Sequence, residues 1–255
     1  RSHRLAHALF GLSFGLGLAY KSFALIAPAA AALWATQLLL EPAWRWRSAL
    51  RITLQVALSA TLALSVFGLW FVLDPDPRAV WQEFVVGENA GKMRNAQGYW
   101  EIALRGGDYS MGAQLWAYVV NAGLLAFVAL GLAWLAVRRV MARARTASPR
   151  LAPQHLILLT WLGVWLLVFM LPSQRSARYV IPAMPALAIL LALYWERIAR
   201  GWFIASALLC AALMLALGRI AWAAWDLGLG TYTDFCLTLL AVLVGVATAL
   251  GAVFR

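Results

Sequence analysis

The chain has 255 residues, of which 64% are hydrophobic and only 12% are charged, and its net charge is +11. This composition excludes a soluble globular domain and is typical of a polytopic membrane protein. The excess of arginine does not indicate a nucleic-acid partner, because the arginines lie in short breaks between apolar runs rather than on one basic face.

The first apolar stretch, from Ala8 to Leu40, is too long for one ordinary crossing. At about 1.5 Å per residue it would make a helix of about 50 Å, whereas the hydrocarbon core is about 30 Å thick. A break near Lys21 divides the stretch into two short spans. Lys21 then lies at a span end, where a lysine either extends its amine to lipid headgroups or binds an anion.

Six further apolar runs reach the length of a membrane-spanning helix. They cover roughly residues 52–73, 114–137, 154–171, 179–195, 201–222 and 235–254. The predicted fold is therefore an all-α polytopic membrane protein with about eight transmembrane helices, forming a single transmembrane domain over residues 1–255. Its one sizeable loop outside the bilayer is predicted at about 74–113.

The distribution of charge predicts the orientation of these helices. The breaks on one side are residues 1–7, 41–51, 138–150, 196–200 and the C terminus, and they hold 13 Arg against two Glu. The rest of the chain, assigned to the other side, holds eight Lys or Arg against eight acids. Because cytoplasmic loops are enriched in Lys and Arg, the arginine-rich side is predicted to be cytoplasmic. Lys21, the loop 74–113 and the short loop before residue 179 are then external.

Within the external loop, the segment "WQEFVVGENAGKM" gathers polar residues between apolar ones. Glu88, Asn89 and Lys92 lie within five positions of one another. One interpretation is an amphipathic helix lying in the headgroup region, since Trp81 and the following apolar residues would favour that location. The other is a binding site, in which the charge of Glu88 is held by a cationic or hydrogen-bonding partner.

The external loop "LPSQRSARYVIP" is very short and carries Arg175 and Arg178 against the usual distribution of positive charge. These arginines either contact lipid headgroups or bind an anionic ligand. Two guanidinium groups together with the hydroxyl of Tyr179 are well suited to phosphate oxygens. Cys210 and Cys236 lie inside apolar segments with neither a CxxC motif nor a neighbouring His, so no disulfide, metal site or cofactor is predicted.

Three segments, taken in order, resemble the GT-C glycosyltransferases related to the aminoarabinose transferases and protein O-mannosyltransferases. "GLSFGLGLAYKSFALIAPAAAALW" is similar to their glycine-rich helix, lysine and following helix, although Tyr20 and Ser22 replace the usual Thr and Gly beside Lys21. "DPDPRAVWQEFVVGENAGKM" is similar to their aromatic external segment, which ends in a Glu-His or Glu-Asn pair and a basic residue. "LPSQRSARYVIPAMPALAILLAL" is similar to their Arg-Tyr loop and proline-containing helix.

The resemblance covers roughly residues 8–195 and implies a membrane enzyme. Members of this family transfer a sugar from a polyprenyl-phosphate donor to a lipid, glycan or protein acceptor at the external face, in bacteria at the inner (plasma) membrane. The residues implied in donor binding are Lys21, Glu88, Asn89, Lys92, Arg175, Arg178 and Tyr179. The family places its catalytic carboxylate in a loop after its first span. No such loop precedes Lys21, so the resemblance implies the C-terminal portion of such an enzyme, without an assigned catalytic residue.

Two other classes of function are compatible with the pattern. A transporter or flippase for a lipid-linked anion would also place cations in a membrane cavity, although no inverted repeat is evident and the cations cluster at one face. A non-catalytic membrane subunit that binds a partner is the third class. An acidic pair after an upstream span would favour the enzyme, and a start codon near Arg1 would favour the subunit.

The predicted orientation can be tested by cysteine labelling. In intact cells, a cysteine introduced at Gln97 should react with a membrane-impermeant thiol reagent, whereas a cysteine at Ala147 should react only after the membrane is permeabilised. Equal labelling of the two positions in intact cells would contradict the orientation.

Overall fold

The computed structural model describes Leu9 and residues 26–90, 98–105, 107–143 and 151–254. In these parts of the chain the regular structure is entirely helical. The α-helices, in chain order, are α1 (Ile26–Leu40), α2 (Trp46–Leu73), α3 (Pro77–Val80), α4 (Tyr99–Arg105), α5 (Met111–Asn121), α6 (Ala126–Arg143), α7 (Pro153–Met170), α8 (Met184–Tyr194), α9 (Arg200–Asp226) and α10 (Tyr232–Phe254). A π-helix covers Trp81–Ala90, and 3₁₀-helices cover Gly107–Tyr109, Gly123–Leu125, Ala177–Ala183 and Trp195–Arg197.

Six helical segments of the described chain are long and apolar enough to cross a membrane. They are Trp46–Leu73, Gly123–Ala142, Pro153–Met170, Ala177–Arg197, Arg200–Asp226 and Tyr232–Val253. Large apolar side chains are exposed along these helices, including Leu58 on α2 and Leu243 on α10. Helices that are apolar on outward-facing as well as packed surfaces require lipid around them. The prediction of an all-α polytopic membrane protein is therefore confirmed.

The predicted span 114–137 is wrong in its first third. Helix α5 ends at Asn121, and Gly123 has a φ of 58°, a backbone conformation that an α-helix does not contain. The membrane-length segment begins only at Gly123. Asn121 is a single polar residue in a run that is otherwise apolar from Leu115 to Val137, so the mean hydropathy stays high across the turn and does not locate the break.

Of the two short spans predicted between Ala8 and Leu40, the second corresponds to α1, whose 15 residues give a length of about 22 Å. The predicted break near Lys21 lies outside the described residues. The total of about eight transmembrane helices therefore stays a prediction.

The chain divides into two compact units, one formed by Arg1–Tyr118 and Pro149–Leu190 and the other by Val119–Ser148 and Leu191–Arg255. The predicted single transmembrane domain with its external loop stays a prediction. In the first unit, α1 packs against α2 and α7. The contact between α1 and α2 includes a buried cluster around Ile26, Ala63 and Phe67, and a hydrogen bond of 2.9 Å from the Trp34 indole N–H to the Thr53 hydroxyl.

In the second unit, α9 packs against both α6 and α10. Gly131 of α6 lies directly beneath α9, since a Cβ atom built on it would be 2.6 Å from the ring of Trp202. A small residue at this position lets the two helices approach closely, as is common between helices in membranes. This unit contains none of the residues that the sequence implicates in binding.

Candidate functional site

Three of the seven predicted binding residues have described side chains: Arg175, Arg178 and Tyr179. Lys21 and Lys92 lie outside the described residues, as do the side chains of Glu88 and Asn89. The backbones of Glu88 and Asn89 belong to the π-helix Trp81–Ala90. π-Helical turns are rare and occur often at functional sites. The predicted gathering of all seven side chains around one ligand stays a prediction.

Arg175 is buried, with only 1% of its surface exposed, although it carries a positive charge. Its Nε and Nη2 donate to the carbonyl oxygen of Met170 over 3.0 and 2.8 Å. Its Nη1 donates to the carbonyl oxygen of Tyr109 over 2.8 Å. The guanidinium carbon also lies 5.1 Å from the ring centroid of Tyr99, within the range of a cation–π interaction.

The position of the Met170 carbonyl explains why a charge is tolerated here. Met170 is the last residue of α7, and the final carbonyls of a helix have no partner within the helix and carry its negative partial charge. A guanidinium at this end is therefore favourable. The Tyr99 hydroxyl donates to the same oxygen over 2.9 Å, so α4 and the 107–109 turn are both held against the end of α7.

Tyr179 continues a row of stacked aromatic rings along α7. Its ring lies 5.0 Å from that of Phe169 at an angle of 25°, and Phe169 lies 5.6 Å from Trp165 at 27°. The indole N–H of Trp161 donates to the carbonyl oxygen of Pro182 over 3.1 Å. The 3₁₀-helix Ala177–Ala183 is thus fixed to α7 at two of its residues, Tyr179 and Pro182.

Arg178 belongs to this fixed 3₁₀-helix, but its side chain is exposed. It makes neither an ion pair nor a hydrogen bond with the described part of the chain. The two arginines of the motif therefore differ: Arg175 is engaged with backbone carbonyls, whereas Arg178 presents an unengaged guanidinium from a rigid backbone. A planar group with several N–H donors is suited to binding a phosphate or carboxylate.

Sequence reasoning missed three residues that build this region: Tyr99, Tyr109 and Gln114. Tyr99 and Tyr109 act on Arg175 from the predicted external loop, at positions that no local pattern distinguishes. Gln114 is 1% exposed on α5, inside a run predicted to be purely membrane-spanning. Its Nε2 and the indole Nε1 of the equally buried Trp165 have no hydrogen-bond partner within the described residues.

Two other contacts connect this part of the chain to α7. The Tyr118 hydroxyl of α5 donates to the Leu162 carbonyl of α7 over 2.8 Å, while Arg175 links Tyr109 to Met170. These links run in opposite directions along the chain, since Tyr118 contacts Leu162 whereas Tyr109, just before α5, is joined to Met170 at the end of α7. Unpartnered buried donors cost about 1 to 3 kcal/mol each, so Gln114 and Trp165 are exceptions among buried polar groups.

The carboxylates of the loop 74–113 have simpler roles. Asp76 caps α3, accepting hydrogen bonds from the backbone N–H groups of Arg78 and Ala79 over 3.1 and 3.0 Å. Asp74 accepts from the N–H of Asp76 over 2.9 Å. Glu83, Glu101 and Asp108 are exposed. Asp74 and Asp76 therefore satisfy backbone N–H groups at and just before the start of α3.

Exchange of each arginine should separate their roles. Arg175→Gln removes the charged donors from the Tyr109 and Met170 carbonyls, so the free energy of unfolding should fall by about 1.5 to 3 kcal/mol. Arg178→Gln, a matched change at an exposed position, should alter it by less than about 0.5 kcal/mol. Thermal unfolding of the purified protein in detergent measures both effects, and equal midpoints for the two variants would contradict the structural role of Arg175.

The sequence of the chain is similar to that of a bacterial transferase. Over 199 aligned residues, covering 74% of this chain, the chain is 32% identical to the undecaprenyl phosphate-alpha-4-amino-4-deoxy-L-arabinose arabinosyl transferase 1 of Sodalis glossinidius (strain morsitans). The match spans 30% of the length of that relative. No family model and no solved structure matches the chain. The similarity to aminoarabinose transferases of the GT-C type, predicted from the three sequence motifs, is therefore confirmed.

Proposed function

We propose that the protein is an integral membrane glycosyltransferase that moves a sugar from a polyprenyl-phosphate donor to a lipid, glycan or protein acceptor at the external face of the bacterial inner membrane. The observation that carries this proposal is the 32% identity to a relative whose name specifies transfer of aminoarabinose from undecaprenyl phosphate. The six membrane-length helices are consistent with a lipid-linked donor that remains in the bilayer.

In this proposal the donor phosphate binds to Arg178. Support comes from the exposure of the Arg178 guanidinium and from the fixed 3₁₀-helix that carries it. Lys21 and Lys92 contribute further positive charge, and the partly buried Tyr179 lies next to Arg178 in the chain. Arg175 acts as a positioning residue, because its three hydrogen bonds join the 107–109 turn to the end of α7, which is close in the chain to the 3₁₀-helix that carries Arg178.

The chemistry of the reaction requires such cations. When the bond between the sugar and the phosphate breaks, negative charge develops on the phosphate oxygens. Positive groups already held in place stabilise that charge more in the transition state than in the bound donor, which accelerates the reaction. The charge-assisted hydrogen bonds are strengthened further near the bilayer, where the dielectric constant is low. Glu88 and Asn89 are assigned to the sugar or to holding Lys92 in register.

Removal of the Arg178 guanidinium should weaken donor binding. Arg178→Ala in the full-length protein should lower affinity for the polyprenyl-phosphate sugar by roughly tenfold or more, as expected for a charged hydrogen bond of about 1.5 to 3 kcal/mol. Equilibrium binding with radiolabelled donor measures the change. Arg105→Ala is the matched control, since Arg105 is likewise exposed but lies on α4, in the loop 74–113, and outside the proposed site. Unchanged affinity in folded Arg178→Ala protein would contradict the assignment.

The role of Glu88 can be tested through turnover. Glu88→Gln keeps the shape of the side chain but removes its charge, so turnover by the full-length enzyme should fall by at least roughly tenfold, equivalent to about 1.4 kcal/mol of transition-state stabilisation. Glu101→Gln provides the control, because Glu101 is exposed on α4. Glu83 is a poorer control, since it lies one turn of the π-helix before Glu88. Similar turnover in the Glu88 and Glu101 variants would remove Glu88 from the site.

A further inference from the structure

A groove of about 460 Å³ runs along the first half of α2, and none of the proposed donor residues belongs to its described lining. Its described lining includes Trp46, Arg47, Leu50, Arg51, Leu54 and Leu58. These residues recur at intervals of three and four, so they lie on one face of the helix. The opposite face, with the buried Ile52, Val56 and Ser59, is the one that packs into the first unit.

The two ends of the groove differ in chemistry. Arg47 and Arg51 lie at the N-terminal end, next to the exposed indole of Trp46, with the Arg47 guanidinium 5.7 Å from the centroid of that ring. Neither arginine forms an ion pair with a carboxylate of the described chain. Toward the other end the lining is mostly apolar, with Leu54 and Leu58 exposed by 61% and 73% and the half-buried Gln55 between them.

The dimensions of this arrangement match one leaflet of a bilayer. From Trp46 to Leu58 the helix rises about 18 Å, and half of a 30 Å hydrocarbon core is about 15 Å. Tryptophan and arginine at the start of a spanning helix lie at the level of the lipid headgroups. A ligand that fills the groove therefore needs an anionic head near Arg47 and Arg51 and an apolar chain of about one leaflet's length beside the leucines.

We propose that this groove binds an anionic phospholipid of the leaflet facing the loop 41–51, which is the cytoplasmic leaflet in the predicted orientation. The phosphate and the acidic headgroup contact Arg47 and Arg51, and one acyl chain lies along Leu50, Leu54 and Leu58. A soluble anion would use the arginines alone, and an apolar peptide would leave both charges unpaired. This inference is independent of the proposed sugar transfer, because none of its residues belongs to the donor site.

Native mass spectrometry of the full-length protein, released from nanodiscs of equal phosphatidylglycerol and phosphatidylcholine content, tests this proposal. The wild-type protein should retain phosphatidylglycerol in preference to phosphatidylcholine. Arg47→Gln combined with Arg51→Gln should reduce the retained phosphatidylglycerol by roughly tenfold or more, because each arginine near an anionic surface contributes a several-fold factor to binding. Arg47→Lys combined with Arg51→Lys keeps both charges and should retain most of the lipid. This variant tests the role of charge should the glutamine variant fold poorly.

The matched control is Arg45→Gln combined with Arg138→Gln, which removes the same charge from two exposed positions outside the groove. This control should retain the lipid like the wild-type protein. Equal retention of the two lipids by the wild-type protein would overturn the proposal, as would equal losses in the groove and control variants. Displacement of the bound lipid by millimolar inorganic phosphate would also overturn it, since the groove would then bind a soluble anion.

Discussion

The buried guanidinium of Arg175 is the interaction on which the proposed donor site depends. A positive charge away from water is costly unless its N–H groups are satisfied, and here three hydrogen bonds to backbone carbonyls supply that satisfaction. Because one acceptor belongs to the end of α7 and the other to the 107–109 turn, the charge can be accommodated only when both segments are in place. The position of the loop 74–113 is thereby linked to the structure of a membrane helix.

This arrangement gives the two arginines, which are three residues apart, different roles. Arg175 donates its hydrogen bonds to backbone carbonyls, whereas Arg178 lies on a 3₁₀-helix whose Tyr179 and Pro182 contact α7. A long, flexible side chain that binds an anion loses conformational entropy, and a rigid backbone beneath it reduces what must be ordered on binding. The stacked row of Trp165, Phe169 and Tyr179 provides that rigidity within an apolar region.

The sequence predicts the membrane helices well because their length and apolar character are local properties. The helices Pro153–Met170 and Arg200–Asp226 begin within one residue of the predicted spans. The prediction fails near Gly123, where one helix ends and another begins while the mean hydropathy stays high, since Asn121 is a single polar residue at the break. The motif at residues 171–182 predicts a binding role for both Arg175 and Arg178 but does not show that their roles differ. Their difference arises from partners such as Tyr109, which is 66 residues from Arg175 in the chain and is brought near only by folding.

The acceptors used by Arg175 have a consequence for how this protein can vary. Both are main-chain oxygens, which every amino acid provides. The residues at positions 109 and 170 can therefore be substituted during evolution without loss of these hydrogen bonds. If Arg175 formed an ion pair instead, the two partner positions would be expected to vary together in an alignment of related sequences. Here we expect a constant arginine with no matching exchange at positions 109 and 170, and the ring of Tyr99 is the one side chain described here as contacting it. Methods that infer spatial contacts from correlated substitutions would therefore overlook the contact that joins the loop to α7.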